Sequence, residues 1–417
     1  LKNEQGEYDR VALYKNKKEA EPFVILEKGL IKSQIYDQAV VGDGVHKDAN
    51  YNMKLLDIKP DGSHLEIYVS HGIDMHADYI FSPSSLFYEL TENVGHIAPG
   101  SVIGNHDPKI VTDCMLDCWN VAAQWQADAI HYMIEKKGVQ AIFSHFHNVD
   151  MQEHRFIRFM TKGDKEYDKE FGAREEEQYR KFLDDVYMQT DRYLGSFLHL
   201  LDEGWTIIIT ADHAQVAPRY MPPAIGDMSG INTGLMEELG YTVLKTDENG
   251  KKLKKIDWSK TRAVAVQGND IFINLKGREK YGIVDPADQY ELEEQIMTDL
   301  YSYKHPDTGK RVISLALRNR DAILLGYGGP TAGDICFWVA EGYNYDHCDS
   351  LSTAYGEQGT SSSPIFIAAG KGLKQGYETD RWIRQVDLAP TVCVLLGCRM
   401  PEQCEGAPIY QILEEAY

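Results

Sequence analysis

The sequence lacks several features that would define other classes of protein. No apolar run approaches the roughly 18 to 20 residues that a membrane-spanning helix needs. Only 7 cysteines are scattered over 417 residues, an odd number that does not indicate a disulfide framework. Positive charge is scarce, because 43 Lys and Arg face 64 Asp and Glu, a net charge of −21. This balance disfavours nucleic-acid backbones and anionic membrane surfaces as partners.

The remaining composition is that of a globular chain without repeats or low-complexity tracts. Hydrophobic residues make up 43% and charged residues 26% of the sequence, which suits a protein with a substantial core. We therefore expect a soluble protein with one large or two unequal domains. Its compartment and oligomeric state have no readable signal, although the cytoplasm is slightly favoured.

An aspartate and a histidine stand side by side after an apolar segment. Residues 205–210 (WTIIIT) are rich in β-branched side chains and predict a buried strand, and Asp212 and His213 follow it. Ligands of open α/β sheets bind at the carboxyl ends of the strands. A carboxylate beside an imidazole suits a divalent cation such as Zn²⁺ or Mn²⁺. For this pair alone, a cap or a surface turn is the competing interpretation.

The same arrangement recurs upstream, at residues 139–154. Residues 139–144 (VQAIFS) predict another short buried strand, and Asp150 and His154 follow it four residues apart. One helical turn would place both side chains on one face, where they could converge on one ion. His145 and His147 alternate at the end of this strand, so only one of them should face a metal. For His147 we favour a packed position or a place beside the ligands.

A third cluster lies further along the chain. Residues 334–340 (DICFWVA) predict a strand, and Asp346, His347 and Asp349 follow it. Three predicted strands are thus each followed by Asp and His, which is more than chance placement of 14 histidines readily explains. Asp349 is either a partner of His347 or a surface turn residue.

These motifs resemble those of the alkaline phosphatase superfamily, in the branch of type I phosphodiesterases and nucleotide pyrophosphatases. The similarity covers residues 139–416, about two thirds of the chain. In that branch the Asp-His pair is usually followed by Gly. Here it is followed by Ala214, as in the phosphatases proper. The matching pieces are Asp150 with His154, Asp212 with His213, and residues 271–279 (IFINLKGRE), 364–372 (PIFIAAGKG) and 386–391 (VDLAPT).

The resemblance implies an α/β/α sandwich around a mostly parallel sheet. We expect residues 1–110 to form a β-rich portion and residues 111–417 to form the metal-binding core, with a β-rich insertion near 240–280. Helical spacing predicts helices over 114–137 and 174–201, with Cys114 and Cys118 filling core space. A bridge between Cys398 and Cys404 is left open.

The resemblance also implies two divalent metal ions, Zn²⁺ first and Mn²⁺ second. Asp150, His154 and His347 would hold one ion, and Asp212 and His213 the other. His347 precedes Cys348 where the family has Gly, and Gln358 occupies the spacing used in other branches. We favour His347 because a neutral amide is a poor ligand for a hydrolytic zinc.

The implied activity is hydrolysis of small phosphorylated substrates, as phosphodiesters or nucleotide pyrophosphates. Two cations about 4 Å apart can clamp the attacking and leaving oxygens of phosphoryl transfer. The family's Thr or Ser nucleophile and a further metal-binding Asp have no counterpart before Asp150, so both are expected upstream of Leu1. We therefore expect the 417-residue chain alone to be inactive or nearly so.

Other interpretations remain open. A non-catalytic relative, acting as a metal-stabilised binding or structural protein, would explain both Gln358 and the missing nucleophile. Phosphomonoesterase, phosphonate hydrolase and phosphomutase activities belong to the same superfamily. A sulfatase is disfavoured because the Cys/Ser-x-Pro-x-Arg segment that it needs is not found.

Overall fold

The computed structural model describes residues 1–100, 107–161, 172–215, 234–266, 269–340, 343, 360–361 and 364–414. Helices and strands are mixed in it, which is compatible with the α/β class. The chain divides into two compact units, one made of Leu1–Met151 and Lys181–Asp202, the other of Gln152–Arg180 and Glu203–Tyr417. Among the described helices, none combines the length and the apolar character that crossing a bilayer requires.

The first unit begins with an antiparallel β region. Its strands are β1 (Arg10–Leu13), β2 (Val24–Glu27), β3 (Ile31–Val41), β4 (Val45–Ile58), β5 (Leu65–Val69) and β6 (Ile73–Asp74). β3, β4 and β5 are hydrogen-bonded in that order, β6 pairs with β4, and β1 pairs with β2. β4 and β5 form a hairpin in which Leu55 stands opposite Ile67. Leu26 and Leu55 are buried in the apolar core of this region.

Five helices follow: α1 (Ser85–Asn93), α2 (Pro108–Lys137), α3 (Asn148–Phe156), α4 (Gly172–Gly195) and α5 (His199–Asp202). The predicted helix over 114–137 is confirmed within α2, and it starts earlier because Asp107 accepts a hydrogen bond from the Lys109 amide (2.9 Å). Gly138 ends α2 with a left-handed φ of 62°. Cys114 and Cys118 are fully buried on α2, as expected.

The second long helix is shorter than its apolar stripe predicts. Phe182, Val186 and Tyr193 are buried on α4 as expected, but α4 ends at Gly195 and the chain resumes as α5. The Ser196 hydroxyl donates to the Tyr193 carbonyl (2.6 Å). Glycine and a serine that bonds its own backbone both favour a helix break over continuation.

From Glu203 onward, the described residues of the second unit form ten strands and four α-helices. The elements are β7 (Thr206–Thr210), β8 (Ala214–Gln215), α6 (Gly234–Glu238), β9 (Leu244–Thr246), β10 (Lys252–Ile256), β11 (Ala263–Val266), β12 (Asp270–Ile273), α7 (Gln289–Ser302), β13 (Ile313–Arg318), α8 (Asn319–Ala322), β14 (Ile335–Val339), β15 (Thr360–Ser361), β16 (Phe366–Gly370) and α9 (Leu388–Leu396). β11, β12, β14 and β13 form a sheet in that order, and the other strands form pairs: β9 with β10, β7 with β16, and β8 with β15.

The largest apolar core of this unit surrounds β14, whose five residues are all buried. Ile271 and Ile273 of β12 and Ile296 of α7 are fully buried in the same cluster. The apolar run predicted as the third strand is therefore confirmed. An all-apolar strand in the middle of a sheet is buried on both of its faces, so its hydrophobic pattern does not alternate.

The parallel sheet of the expected sandwich is not seen in the described residues. Every pairing between the strands named above is antiparallel, and the strands fall into several small sheets rather than one large sheet. The described residues thus support a mixture of helices and strands, but they do not show the parallel sandwich.

The predicted strand over 139–144 is wrong. These residues form no strand, and the Phe143 side chain is 86% exposed. A strand needs a neighbour to satisfy its backbone groups, and no described strand pairs with this segment. The apolar character of the run indicated burial, but burial depends on a partner that the run itself does not specify.

Candidate metal centre

Helix α3 places Asp150 and His154 one turn apart. Asp150 lies in the first turn and His154 in the last turn. A carboxylate near a helix N-terminus and an imidazole near its C-terminus both suit the helix dipole. The division between the two units runs through α3, but the spacing of these side chains is set by the helix itself.

His213 is held in one orientation by its own chain. It follows β7 and precedes β8, and its Nδ1 donates a hydrogen bond to the Ala214 carbonyl oxygen (3.1 Å). Because a carbonyl can only accept, this contact fixes the tautomer in which Nε2 carries the lone pair. Metal-binding histidines commonly make such a bond with the other ring nitrogen. The His213 side chain is 10% exposed, so its orientation is also restricted by packing.

The fold brings Asp150, His154 and His213 together. One ligand atom of each lies within 4.8 Å of the others, and this is the group with metal-binding potential found in the part of the chain that the structure describes. The rings of His154 and His213 are 4.9 Å apart at an angle of 61°. One carboxylate and two imidazoles form a donor set that fits Zn²⁺ and, less closely, Mn²⁺.

His147 contacts one of these residues. Its Nε2 lies 2.6 Å from an Asp150 carboxylate oxygen, and its ring is 4.6 Å from that of His145. Hydrogen bonding by a neighbour orients a ligating carboxylate and tunes its basicity. His147 is therefore placed to position Asp150.

Asp212 is next to His213 in the sequence, but its side chain is largely exposed to solvent. Its side chain is 69% exposed, and one of its oxygens lies 3.8 Å from His213 Nε2. Asp212 is not among the three clustered residues. The sequence assigned His213 to a second ion with Asp212, whereas its ligand atom lies near those of Asp150 and His154. If two ions lie about 4 Å apart, His213 can bind the second ion and still lie close to the ligands of the first.

Gln385 is a residue of this region that sequence reasoning missed. Its side-chain amide donates to the main-chain oxygens of Ala211 (2.7 Å) and Asp212 (3.0 Å). It immediately precedes the 386–391 motif, and this position was the feature of the sequence that could have pointed to Gln385. No local pattern indicates that this motif lies beside a turn more than 170 residues earlier.

The remaining candidates, His347, Asp349 and Gln358, lie outside the described residues. The strand that leads toward them, β14, ends at Val339. They stay predictions.

Two further residues of the family-like pattern are structural. Arg278 binds the Asp334 carboxylate through both of its terminal nitrogens (2.6 and 2.7 Å) and also the Ile273 carbonyl (2.6 Å). The Asn274 amide donates to the carbonyls of Trp258, Thr261 and Tyr281. Both residues tie the end of β12 to neighbouring segments.

Comparison with known proteins finds distant relatives. The chain is 24% identical over 249 residues to the alkaline phosphatase PafA of Elizabethkingia meningoseptica, covering 55% of this chain and 42% of that protein. It is also 24% identical over 247 residues to a protein of Myroides odoratus named calcium-transporting ATPase, covering 56% of this chain and 42% of that protein. The chain thus spans about two fifths of the length of these curated relatives. No family model and no solved structure matches.

The comparisons support a coarse conclusion. The chain has a distant similarity to a phosphatase of the alkaline phosphatase type, which agrees with the wider superfamily indicated by its motifs.

Proposed function

We propose that this protein is a metal-dependent hydrolase of phosphate esters, of the phosphodiesterase or nucleotide pyrophosphatase type. The observation that carries the proposal is the convergence of Asp150, His154 and His213, whose ligand atoms lie within 4.8 Å of one another. The distant similarity to an alkaline phosphatase supports the same chemistry. The chain carries a net charge of −21, so a phosphorylated substrate would need a local cationic centre to bind.

The roles of the residues follow from their chemistry. Asp150, His154 and His347 would hold one divalent ion, and His213 with Asp212 the second, with Zn²⁺ preferred over Mn²⁺. Such ions, when bound, neutralise the negative oxygens of a phosphoryl group and lower the pKa of an oxygen nucleophile. His147 positions Asp150 through their 2.6 Å contact. The family resemblance implies a Thr or Ser nucleophile for the covalent step, and none of the residues named here is assigned that role.

Metal binding by the purified chain is the first test. Metal-free protein is titrated with Zn²⁺ or Mn²⁺, and the bound metal is counted by mass spectrometry for the wild type, His154→Ala and His213→Ala. The matched control is His64→Ala, because His64 is half-exposed and is not one of the three clustered residues. Both site variants should lose metal and melt at lower temperature, since the remaining ligands would lack their cation. Equal metal content in all four proteins would refute the metal centre.

Hydrolysis is the second test. Bis-p-nitrophenyl phosphate, p-nitrophenyl phosphate and phenylphosphonate separate diesterase, monoesterase and phosphonate hydrolase activities. We expect the 417-residue chain with added Zn²⁺ to turn over far more slowly than about 1 per second, the low end of ordinary enzymes. Faster turnover would place the nucleophile within this sequence. A preference for the monoester would replace the proposed diesterase by a phosphatase.

A further inference from the structure

Three cysteines lie around the end of α9. Cys393 is on the helix, and Gly397 ends the helix with a left-handed φ of 65°, a conformation that glycine adopts without strain. The change of chain direction at Gly397 allows the Cys398 amide to donate to the Cys393 carbonyl (3.0 Å). Cys404 follows in a turn in which its amide donates to the Pro401 carbonyl (3.1 Å). Cys398 is exposed, and the other two are partly buried.

Cys393 and Cys398 are held side by side by this backbone hydrogen bond. Burial, then a hydrogen bond with the Cys398 thiol, raises the pKa of Cys393, and the proximity of Cys404 adds to the shift. The bonds from the Gly397 amide to the Val394 carbonyl (3.1 Å) and from the Cys398 amide to the Cys393 carbonyl form a Schellman motif. In this motif the side chains at the positions of Cys393 and Cys398 commonly contact each other. The backbone at the end of α9 therefore brings the two side chains to one place, as a bridge requires.

A metal site is a weaker explanation of these thiols. Among the described residues, the three cysteines do not meet the 4.8 Å spacing that Asp150, His154 and His213 satisfy. A thiolate metal site needs its sulfurs to converge on one ion at about 2.3 Å each. Two adjacent cysteines with a third thiol nearby are instead the arrangement that supports exchange between thiols and disulfides.

We propose that Cys393 and Cys398 form a reversible disulfide at the end of α9, a modification site that does not depend on the proposed hydrolase function. The exposed Cys398 thiolate attacks one sulfur of a small disulfide such as oxidised glutathione, and one glutathione thiolate leaves. The Cys393 thiolate then attacks the Cys398 sulfur of this mixed disulfide and releases the second glutathione. The protein dithiol is oxidised, one oxidised glutathione is reduced to two glutathiones, and both thiol protons pass to solvent.

The chain carries its own matched control in Cys114 and Cys118. These cysteines are one helical turn apart on α2 and are fully buried. Burial raises the pKa of Cys114 to about 12 and that of Cys118 to about 11. Because both side chains are fully buried, the oxidant cannot reach them, and this pair should stay reduced under native conditions.

The test is thiol trapping on the native chain. The reduced 417-residue protein is incubated with oxidised glutathione, alkylated with iodoacetamide in denaturant and mapped by mass spectrometry. We expect one peptide pair joined through Cys393 and Cys398, with the loss of two hydrogens, and full alkylation of Cys114 and Cys118. Added dithiothreitol should restore both C-terminal thiols. A native chain in which Cys393 and Cys398 stay alkylated throughout would overturn the proposal.

Two variants test which cysteines form the disulfide. Cys404→Ser should keep the bridge, whereas Cys393→Ser should stop the reaction at a glutathione adduct on Cys398 or divert it to Cys404. A wild-type bridge between Cys398 and Cys404 instead would show that the pairing is wrong. An unmodified Cys398 in Cys393→Ser would show that Cys398 is not the attacking thiol.

Discussion

The side-chain amide of Gln385 donates to the main-chain oxygen of Asp212 at 3.0 Å. A second hydrogen bond from the same nitrogen reaches the Ala211 oxygen at 2.7 Å. These bonds attach the start of α9 to the turn that carries His213. This segment therefore contacts the turn of a candidate metal ligand without supplying any of the three clustered residues.

Replacing Gln385 by Ala should loosen this turn. Two solvent-exposed hydrogen bonds are lost, so the free energy of unfolding should fall by only about 1 kcal/mol. Metal affinity should fall more clearly, by about 10- to 100-fold, as when an outer partner of a metal ligand is removed. Zinc titration monitored by calorimetry measures the affinity, and urea unfolding of the metal-free protein measures the stability.

Gln375→Ala is the control for Gln385→Ala, because Gln375 is an exposed glutamine of the same unit. Gln375→Ala should change neither the zinc affinity nor the free energy of unfolding. If Gln385→Ala binds Zn²⁺ as tightly as wild type, the Gln385 bonds do not position the group.

Asp387 should make stability depend on pH. It is buried, which raises its pKa, but hydrogen bonds from Arg384 and from the Ala407 amide outweigh burial and hold the pKa below its ordinary value of 3.8. A lowered folded-state pKa stabilises the fold above about pH 3.8, and this stabilisation is lost as pH falls through the lower folded value. Asp387→Asn should therefore cost on the order of 1 to 3 kcal/mol at neutral pH.

Urea unfolding at several pH values measures this difference. The gap between wild type and Asp387→Asn should narrow as the pH falls below about 3.8. Asp380→Asn, at an exposed position of the same unit, should show no gap at any pH. A gap that is constant with pH would mean that the charge of Asp387 is not the stabilising feature.

The Arg278–Asp334 pair should contribute to the stability of the second unit. Asp334 is 9% exposed, and it also accepts a hydrogen bond from the Ile273 amide (2.7 Å). Arg278→Lys keeps the charge but loses the two-pronged contact. We expect a loss of about 1 to 3 kcal/mol in the free energy of unfolding.

A double-mutant cycle with Asp334→Asn tests this coupling. The two substitutions should be non-additive, because each removes the same contact. Arg320→Lys is the control, since the Arg320 side chain is 70% exposed and its nearest carboxylate is 3.7 Å away. Strict additivity of Arg278→Lys and Asp334→Asn would show that the pair does not interact in solution.

Phe143 and Phe156 should respond oppositely to truncation. Phe143 is 86% exposed, so Phe143→Ala should change the free energy of unfolding by no more than about 0.5 kcal/mol. Phe156 is fully buried, with its ring centroid 5.2 Å from that of Tyr179. Phe156→Ala should cost about 3 to 5 kcal/mol. Chemical denaturation compares the two, and equal losses would contradict the exposed placement of Phe143.

The features predicted correctly from the sequence are those encoded by nearby residues. The apolar spacing predicted most of α2, and a continuous apolar run predicted β14. The four-residue spacing of Asp150 and His154 indicated one helical face, because the period of an α-helix sets that geometry without help from the rest of the chain.

Tertiary structure decided what lies between distant residues. The apolar run at 139–144 has the composition of a strand, but pairing depends on a neighbour elsewhere in the chain, and none is found among the described strands. The sequence by itself determined which residues could bind a metal and which would share a helix face. Only the fold determined that His213 joins Asp150 and His154, with Gln385 supporting its turn, because contacts between distant segments depend on packing that no local pattern encodes.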